Sequence, residues 1–178
     1  SFVNMTWKPL PLFYINSGAR LSKYNKYDDL IFDPKIGFKF NPTSNLALKF
    51  TMGKYSQFLY TINQEEELLR IVDFWQPIPN KEKPQQSIHY ILGTEYWISD
   101  GNTISIETYY KDYSHIYDLN PTFDVTDVEG TLALSGTAKS FGIEFLYRLR
   151  LNKFSGWVSY AYSNTERTVD LNSDGIIW

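Results

Sequence analysis

The stretch Ile88-His89-Tyr90-Ile91-Leu92-Gly93-Thr94-Glu95-Tyr96-Trp97-Ile98, then Ser99-Asp100-Gly101-Asn102, then Thr103-Ile104-Ser105-Ile106-Glu107-Thr108-Tyr109-Tyr110-Lys111, decides the fold. Its side chains alternate with period two, the repeat of an extended strand. Ile88, Tyr90, Leu92, Thr94, Tyr96 and Ile98 oppose His89, Gly93, Glu95 and Trp97. After a turn built on Asp-Gly, Ile104, Ile106, Thr108 and Tyr110 oppose Ser105, Glu107, Tyr109 and Lys111. Two long alternating runs joined by so short a turn predict an antiparallel hairpin with one apolar face and one polar face.

The same unit recurs in both directions. Upstream, Phe13, Ile15, Ala19 and Leu21 oppose Tyr14, Asn16, Gly18, Arg20 and Ser22. Ile36, Phe38 and Phe40 oppose Lys35, Gly37 and Lys39, and Leu46, Leu48, Phe50 and Met52 oppose Ala47, Lys49, Thr51 and Gly53. Downstream, Ile143, Phe145, Tyr147 and Leu149 oppose Gly142, Glu144, Arg148 and Arg150, and Val158, Tyr160 and Tyr162 oppose Ser159, Ala161 and Ser163. Short turns fall at Lys8–Pro11, Asn41–Asn45, Ser99–Asn102 and Asn152–Ser155. Long polar connections fall at 25–33, 61–86, 114–139 and from 164 on. The chain is therefore read as all-β, an antiparallel up-and-down meander of about eight strands. Every short turn lies at one end and every long connection at the other, which is the plan of an outer-membrane barrel. Helical periodicity is confined to Gln64–Val72, inside one long connection.

Composition narrows the function classes. The chain has 178 residues, enough for one domain, and no cysteine, which excludes disulfides and thiolate chemistry. The net charge of −3 is spread along the chain, unlike the basic face of a nucleic-acid-binding protein. No apolar run reaches the ~18 residues of a membrane helix. The mean hydropathy of −0.35 fits a soluble protein, yet a barrel shows lipid only every second strand residue. With no starting Met, strand-like residues from Ser1 and a loop-like end from Asp170 to Trp178, the chain is expected to be an internal piece of a larger protein.

Alternation alone does not say which face is dry. Three features favour a membrane barrel over a soluble one. Trp7, Phe13, Phe40, Trp97 and Trp157 cluster near the short turns, as an interfacial girdle does, and Tyr24, Phe58, Tyr60, Tyr113 and Tyr162 fit a second girdle near the long connections. The strands match the ~9–11 residues of a tilted spanning strand. The polar face carries Arg20, Lys49, Glu95, Glu107, Lys111, Glu144, Arg148 and Arg150, which suits a wet bore.

Several strings resemble the C-terminal half of the barrel of TonB-dependent outer-membrane receptors. They are Asp33-Pro34-Lys35-Ile36-Gly37-Phe38-Lys39-Phe40, Gly53-Lys54-Tyr55-Ser56-Gln57-Phe58 and Asp73-Phe74-Trp75-Gln76-Pro77 before Lys83-Pro84-Gln85. Glu107-Thr108-Tyr109-Tyr110-Lys111-Asp112, Ser140-Phe141-Gly142-Ile143-Glu144-Phe145 and Gly156-Trp157-Val158-Ser159-Tyr160 complete the set. Their order spans nearly the whole chain. The resemblance implies a large, 22-stranded transmembrane barrel in the outer membrane of a Gram-negative bacterium, with about eight strands supplied here. It implies active uptake of a scarce ligand of siderophore, cobalamin or oligosaccharide type, energised by the TonB complex through a plug. The family's plug, its TonB-binding box and its last strand have no match in this sequence.

Candidate chemistry is sparse. His89 falls on a polar strand face and His115 at a loop end, and nothing marks Ser87, Ser105 or Ser114 as activated, so no catalytic residue is expected. Asp170-Leu171-Asn172-Ser173-Asp174-Gly175 matches the first half of a calcium loop, which makes Asp170, Asn172 and Asp174 candidate Ca2+ ligands; an ordinary polar turn is the competing reading. Asp124, Asp127 and Glu129 form a second acidic patch, read as solvated loop. For ligand contact the candidates are Phe74, Trp75 and Gln76 in the long connection. Arg20, Arg148 and Arg150 on the polar face are the others, either lining an anion path or pairing with Glu95 and Glu144. A smaller structural or adhesive outer-membrane barrel and a soluble ligand-binding β-barrel stay open as alternatives.

Overall fold

The computed structural model describes residues 1–25, 27–62, 74–78, 83–119 and 133–169. Ten strands form in chain order: β1 Phe2–Leu10, β2 Phe13–Tyr24, β3 Tyr27–Thr43, β4 Leu46–Gln57, β5 Leu59–Ile62, β6 Phe74–Pro77, β7 Gln85–Ser99, β8 Asn102–Leu119, β9 Ala133–Leu151 and β10 Phe154–Val169. Eight of them make one sheet in the order β1-β2-β3-β4-β7-β8-β9-β10, every neighbour antiparallel. β5 and β6 form a separate hairpin in the connection from β4 to β7.

The pairing register carries the period-two pattern across strands. Trp7, Ile15, Phe38, Phe50, Leu92, Thr108, Ile143 and Tyr162 stand in one cross-strand row on the apolar face. Within it Phe38 stacks on Phe50 at 6.4 Å, and it also stacks on Phe13 at 6.1 Å. A slip of one residue in any pair would turn a whole strand over, so this agreement over eight strands fixes the register.

The two faces differ in shelter. Leu92 is 58% exposed and Ile106 42%, while on the polar face Ala47 is 0% exposed and Asp33 5%. Side chains crowd on the concave side of a curved sheet and splay on the convex side, so the polar face is the inner one. Phe38, Ile106 and Phe145 meet no dry centre; the buried apolar cluster among the described residues is only Tyr60, Ile78 and Tyr117, at the loop end. An apolar face this large and continuous, left open, demands a nonpolar solvent.

Toward the long connections the apolar band of β4–β10 ends at a definite row, where Lys54, Ile88, Asp112, Lys139 and Glu166 stand side by side; on β2–β3 it continues past that row to Leu21 and Phe32. Just below it Tyr90 and Tyr110 face one another at 6.3 Å. At the short-turn end Trp7, Phe40, Tyr96 and Tyr147 occupy the apolar face. Trp97 and Trp157 are not in that girdle. They pair with Thr103 and Arg148 on the polar face, and Trp97 lies under the Lys39 ammonium at 5.9 Å. Tyr113 likewise belongs to the polar face, and Tyr162 to the middle of the band.

Pairing runs further than the hydrophobic pattern. Tyr27–Leu30, Ser114–Leu119 and Ala133–Lys139 lie in spans expected as loop, yet they are strand. Beyond the charged row polar and apolar residues mix on both sides, with Ile31, Tyr117 and Ala138 buried, so the alternation fades while the backbone ladder continues. His115 interrupts it, at φ 55°, as the extra residue of a bulge between Ser114 and Ile116. The helical stretch Gln64–Val72 and the acidic patch Asp124–Glu129 lie outside the described residues.

Candidate functional site

The polar face divides into two neighbourhoods. In β2–β4 its charges satisfy one another. Asp33, nearly fully buried, accepts from Arg20 Nε at 3.1 Å, from Arg20 Nη2 at 2.8 Å and from Ser56 Oγ at 2.6 Å. Arg20 Nη2 also donates to the Ser56 carbonyl at 2.8 Å. The network pins three strands together where β3 and β4 cease to pair. Arg20 therefore takes its carboxylate from the neighbouring strand of its own hairpin, and Glu95 takes Lys49 instead.

In β4–β9 the polar face is aromatic, and its charges do not pair off in the same way. The His89 ring lies 4.6 Å from Tyr55 and 6.0 Å from Tyr113, and its Nε2 has no hydrogen-bond partner among the described residues. Beside it Lys111 Nζ sits 4.4 Å over the Tyr109 ring. Tyr109 rests on Gly142: a Cβ there would come within 2.6 Å of the phenol carbon and oxygen. Only glycine lets the ring lie flat on the strand. Glu107 and Glu144 stand directly opposite one another and make no ion pair among the described residues. The exposed Glu107 and Glu144 carboxylates, the Lys111 ammonium and the tyrosine rings are the polar and stacking groups of this wall, while His89 Nε2 is itself buried.

Above this wall stands the β5–β6 hairpin. Tyr60 packs on Tyr117 at 5.7 Å, Ile78 is buried with them, and Tyr117 Oη donates to the Lys83 carbonyl at 2.7 Å. Ile78 N donates to the Phe58 carbonyl at 3.1 Å, and Gln57 and Gln85 both donate to the Leu59 carbonyl. Burial pushes the Tyr60 phenol pKa up. These contacts anchor the hairpin base and leave its other side clear. Trp75, opposite Thr61, is 56% exposed, and Gln76 is exposed beside it. Phe74 pairs with Ile62 at the outer end of the hairpin.

The six sequence candidates do not converge. Trp75 and Gln76 stand at the loop end, and Arg20 lies on the wall toward that end. Arg148 and Arg150 lie at the opposite, short-turn end. Arg150 arches over Gly101, at φ 90° in its turn, and its backbone N–H donates to Asn102 Oδ1 at 2.9 Å. Asp170, Asn172 and Asp174 lie outside the described residues. The Tyr55–His89–Tyr113 cluster is not legible in the sequence. The period-two reading places His89 on the polar face, but Tyr55 reaches it only through the pairing of β4 with β7 across the intervening 61–86 connection.

No curated protein matches this chain. The model of the family described as TonB dependent receptor-like, beta-barrel, matches residues 1–176. The meander, its two unlike faces and that match over nearly the entire length agree, and the chain belongs to the TonB-dependent receptor-like β-barrel family.

Proposed function

We propose that these strands form part of the wall of an outer-membrane receptor of a Gram-negative bacterium, which captures a scarce ligand at its long-loop end and passes it through a polar bore. The energy comes from the TonB complex, acting through a plug that lines the bore of the complete protein. The observation that carries this reading is the pair of unlike faces: an open apolar band bounded by the row Lys54–Asp112–Lys139–Glu166, backed by a sheltered polar wall. Short turns then face the periplasm and long connections the exterior. The exposed Trp75 and Gln76 make first contact, and the Tyr55–His89–Tyr113 and Tyr109–Lys111 groups stack on and hydrogen-bond the ligand or the plug. Siderophore, cobalamin and oligosaccharide ligands all suit so aromatic a surface. The chain's chemistry is binding and passage, without catalysis.

Uptake assays test this directly. Cells carrying the complete receptor should accumulate one of a ferric siderophore, cobalamin or a maltooligosaccharide, and accumulation should vanish when either the receptor or TonB is deleted. Uptake of all three unchanged by both deletions would overturn the transport reading. The orientation has its own test, since the segment has no cysteine to confuse labelling. A charged maleimide should label Ser105→Cys from the bore, and Ile106→Cys should stay unlabelled in the bilayer. Equal labelling of the two would remove the membrane reading.

A further inference from the structure

The apolar face is not smooth. On its β1–β4 side a groove of about 730 Å³ runs across the strands. Its floor is Ser17, Ala19 and Pro34, small residues in a band otherwise made of large ones, and its walls are Met5, Phe32 and Met52. The register makes the gap: Met5, Ser17, Ile36 and Met52 share one row, and Val3, Ala19 and Pro34 the next. On the loop side of this groove stands Lys54, half-buried, on the row that closes the apolar band of β4–β10; on β3, Phe32 lines the groove one row further out. Among the described residues Lys54 makes no ion pair. Its neighbour in that row is Ile88, which also lines the groove.

We infer that this groove is a lipid site, which holds an acyl chain of a phosphorylated glycolipid of the outer leaflet and pairs its phosphate with Lys54. The inference rests on the bilayer reading above. In hydrocarbon an apolar surface gains nothing by being apolar, so selective lipid retention needs shape and charge. A groove with small residues below and large ones on both sides touches a chain on three sides, which multiplies dispersion contacts. A lysine at the band's edge keeps its stem along apolar surface and its ammonium at headgroup depth, where a phosphate lies. Orientation fixes the source: with the long connections facing outward, Lys54 meets the outer leaflet.

Native mass spectrometry of the complete receptor in mild detergent tests the site. After delipidation, bisphosphorylated lipid A should rebind with one molecule retained, and dephosphorylated lipid A should be retained at least fivefold less. Ala19→Phe fills the groove and should lower retention at least tenfold; Ser17→Leu, a smaller change, should lower it severalfold. Lys54→Gln should abolish the preference for the phosphorylated form. Leu92→Phe, on the same face away from the groove, should leave retention unchanged. Equal retention by wild type and Ala19→Phe, no discrimination by phosphate, or a second copy of the protein held in place of lipid would overturn the site. Failure of the orientation test by Ser105→Cys and Ile106→Cys labelling would be separate and would remove the bilayer itself.

Discussion

The polar wall of β2–β4 and the polar wall of β7–β9 are built from similar residues and do different things. In the first, Arg20, Asp33 and Ser56 hydrogen-bond one another across three strands, and the nearly buried Asp33 carboxylate is held by three donors. In the second, Glu107 faces Glu144 and the His89 Nε2 has no partner, although Lys111 is on the same face nearby. A buried carboxylate without partners costs several kcal/mol, so the closed network is there for stability. On the proposed reading, the exposed and unpaired Glu107 and Glu144 await a group that the wall itself does not contain. On that reading the difference separates structural charge from charge kept for a ligand or plug.

The largest expected effect lies on the other side of the sheet, and it checks that the two walls face a bore at all. Leu92→Arg puts a charge in the middle of the apolar band, where it should cost about 2–4 kcal/mol of folding free energy in lipid vesicles. Gly93→Ser, one residue along on the polar wall, should cost under about 1 kcal/mol, since nothing lies closer than 3.7 Å to a Cβ there. Denaturant titration of the refolded receptor measures both, and comparable losses would show that the faces have been assigned wrongly.

Next comes the closed network. Arg20→Met leaves Asp33 buried with only Ser56 for support, and stability should fall by about 2 kcal/mol, less than for a fully buried pair because the Arg20 side chain is 49% exposed. Arg20→Met combined with Asp33→Leu should recover most of the loss. A further drop in the double variant would mean the pair is not coupled. His89→Phe sharpens the contrast from the open wall: stability should change by under about 1 kcal/mol, while ligand affinity falls severalfold in a binding titration.

The contrast also explains what the residues alone could reveal. Period two was legible from Phe13 to Tyr162 because each strand separates a hydrocarbon side from a wet side, and the short turns carried Pro, Asn and Gly at the demanded places. Legibility stopped at the row Lys54–Asp112–Lys139–Glu166. Past it the period-two pattern breaks at the His115 bulge, so Ser114–Leu119 reads as loop while its backbone still pairs. The misplacement of Trp97 has a different cause: an aromatic near a turn satisfies a girdle pattern whichever face it is on, and only register assigns the face. The ion pairs needed register too, because Arg20 is diagonal to many carboxylates in sequence and adjacent to Asp33 alone in the sheet. Arg148 and Arg150 read as ligand groups by charge, and only their distance along the strands from the loops separates them from Arg20.

The smallest effect tests the open wall most directly. Glu107 and Glu144 are cross-strand neighbours on one face, and directly opposed like charges repel by a few tenths of a kcal/mol when exposed to water. Glu144→Gln removes one charge with little change of shape, so the receptor should become more stable by about 0.5 kcal/mol at low salt. At 1 M salt the Debye length is about 3 Å and the gain should shrink toward zero. If the two carboxylates are kept for a cationic group on ligand or plug, the same substitution should weaken ligand binding while it stabilises the wall. Such opposed signs, stability up and affinity down, are what a group retained for a partner produces, and a purely structural carboxylate gives losses in both.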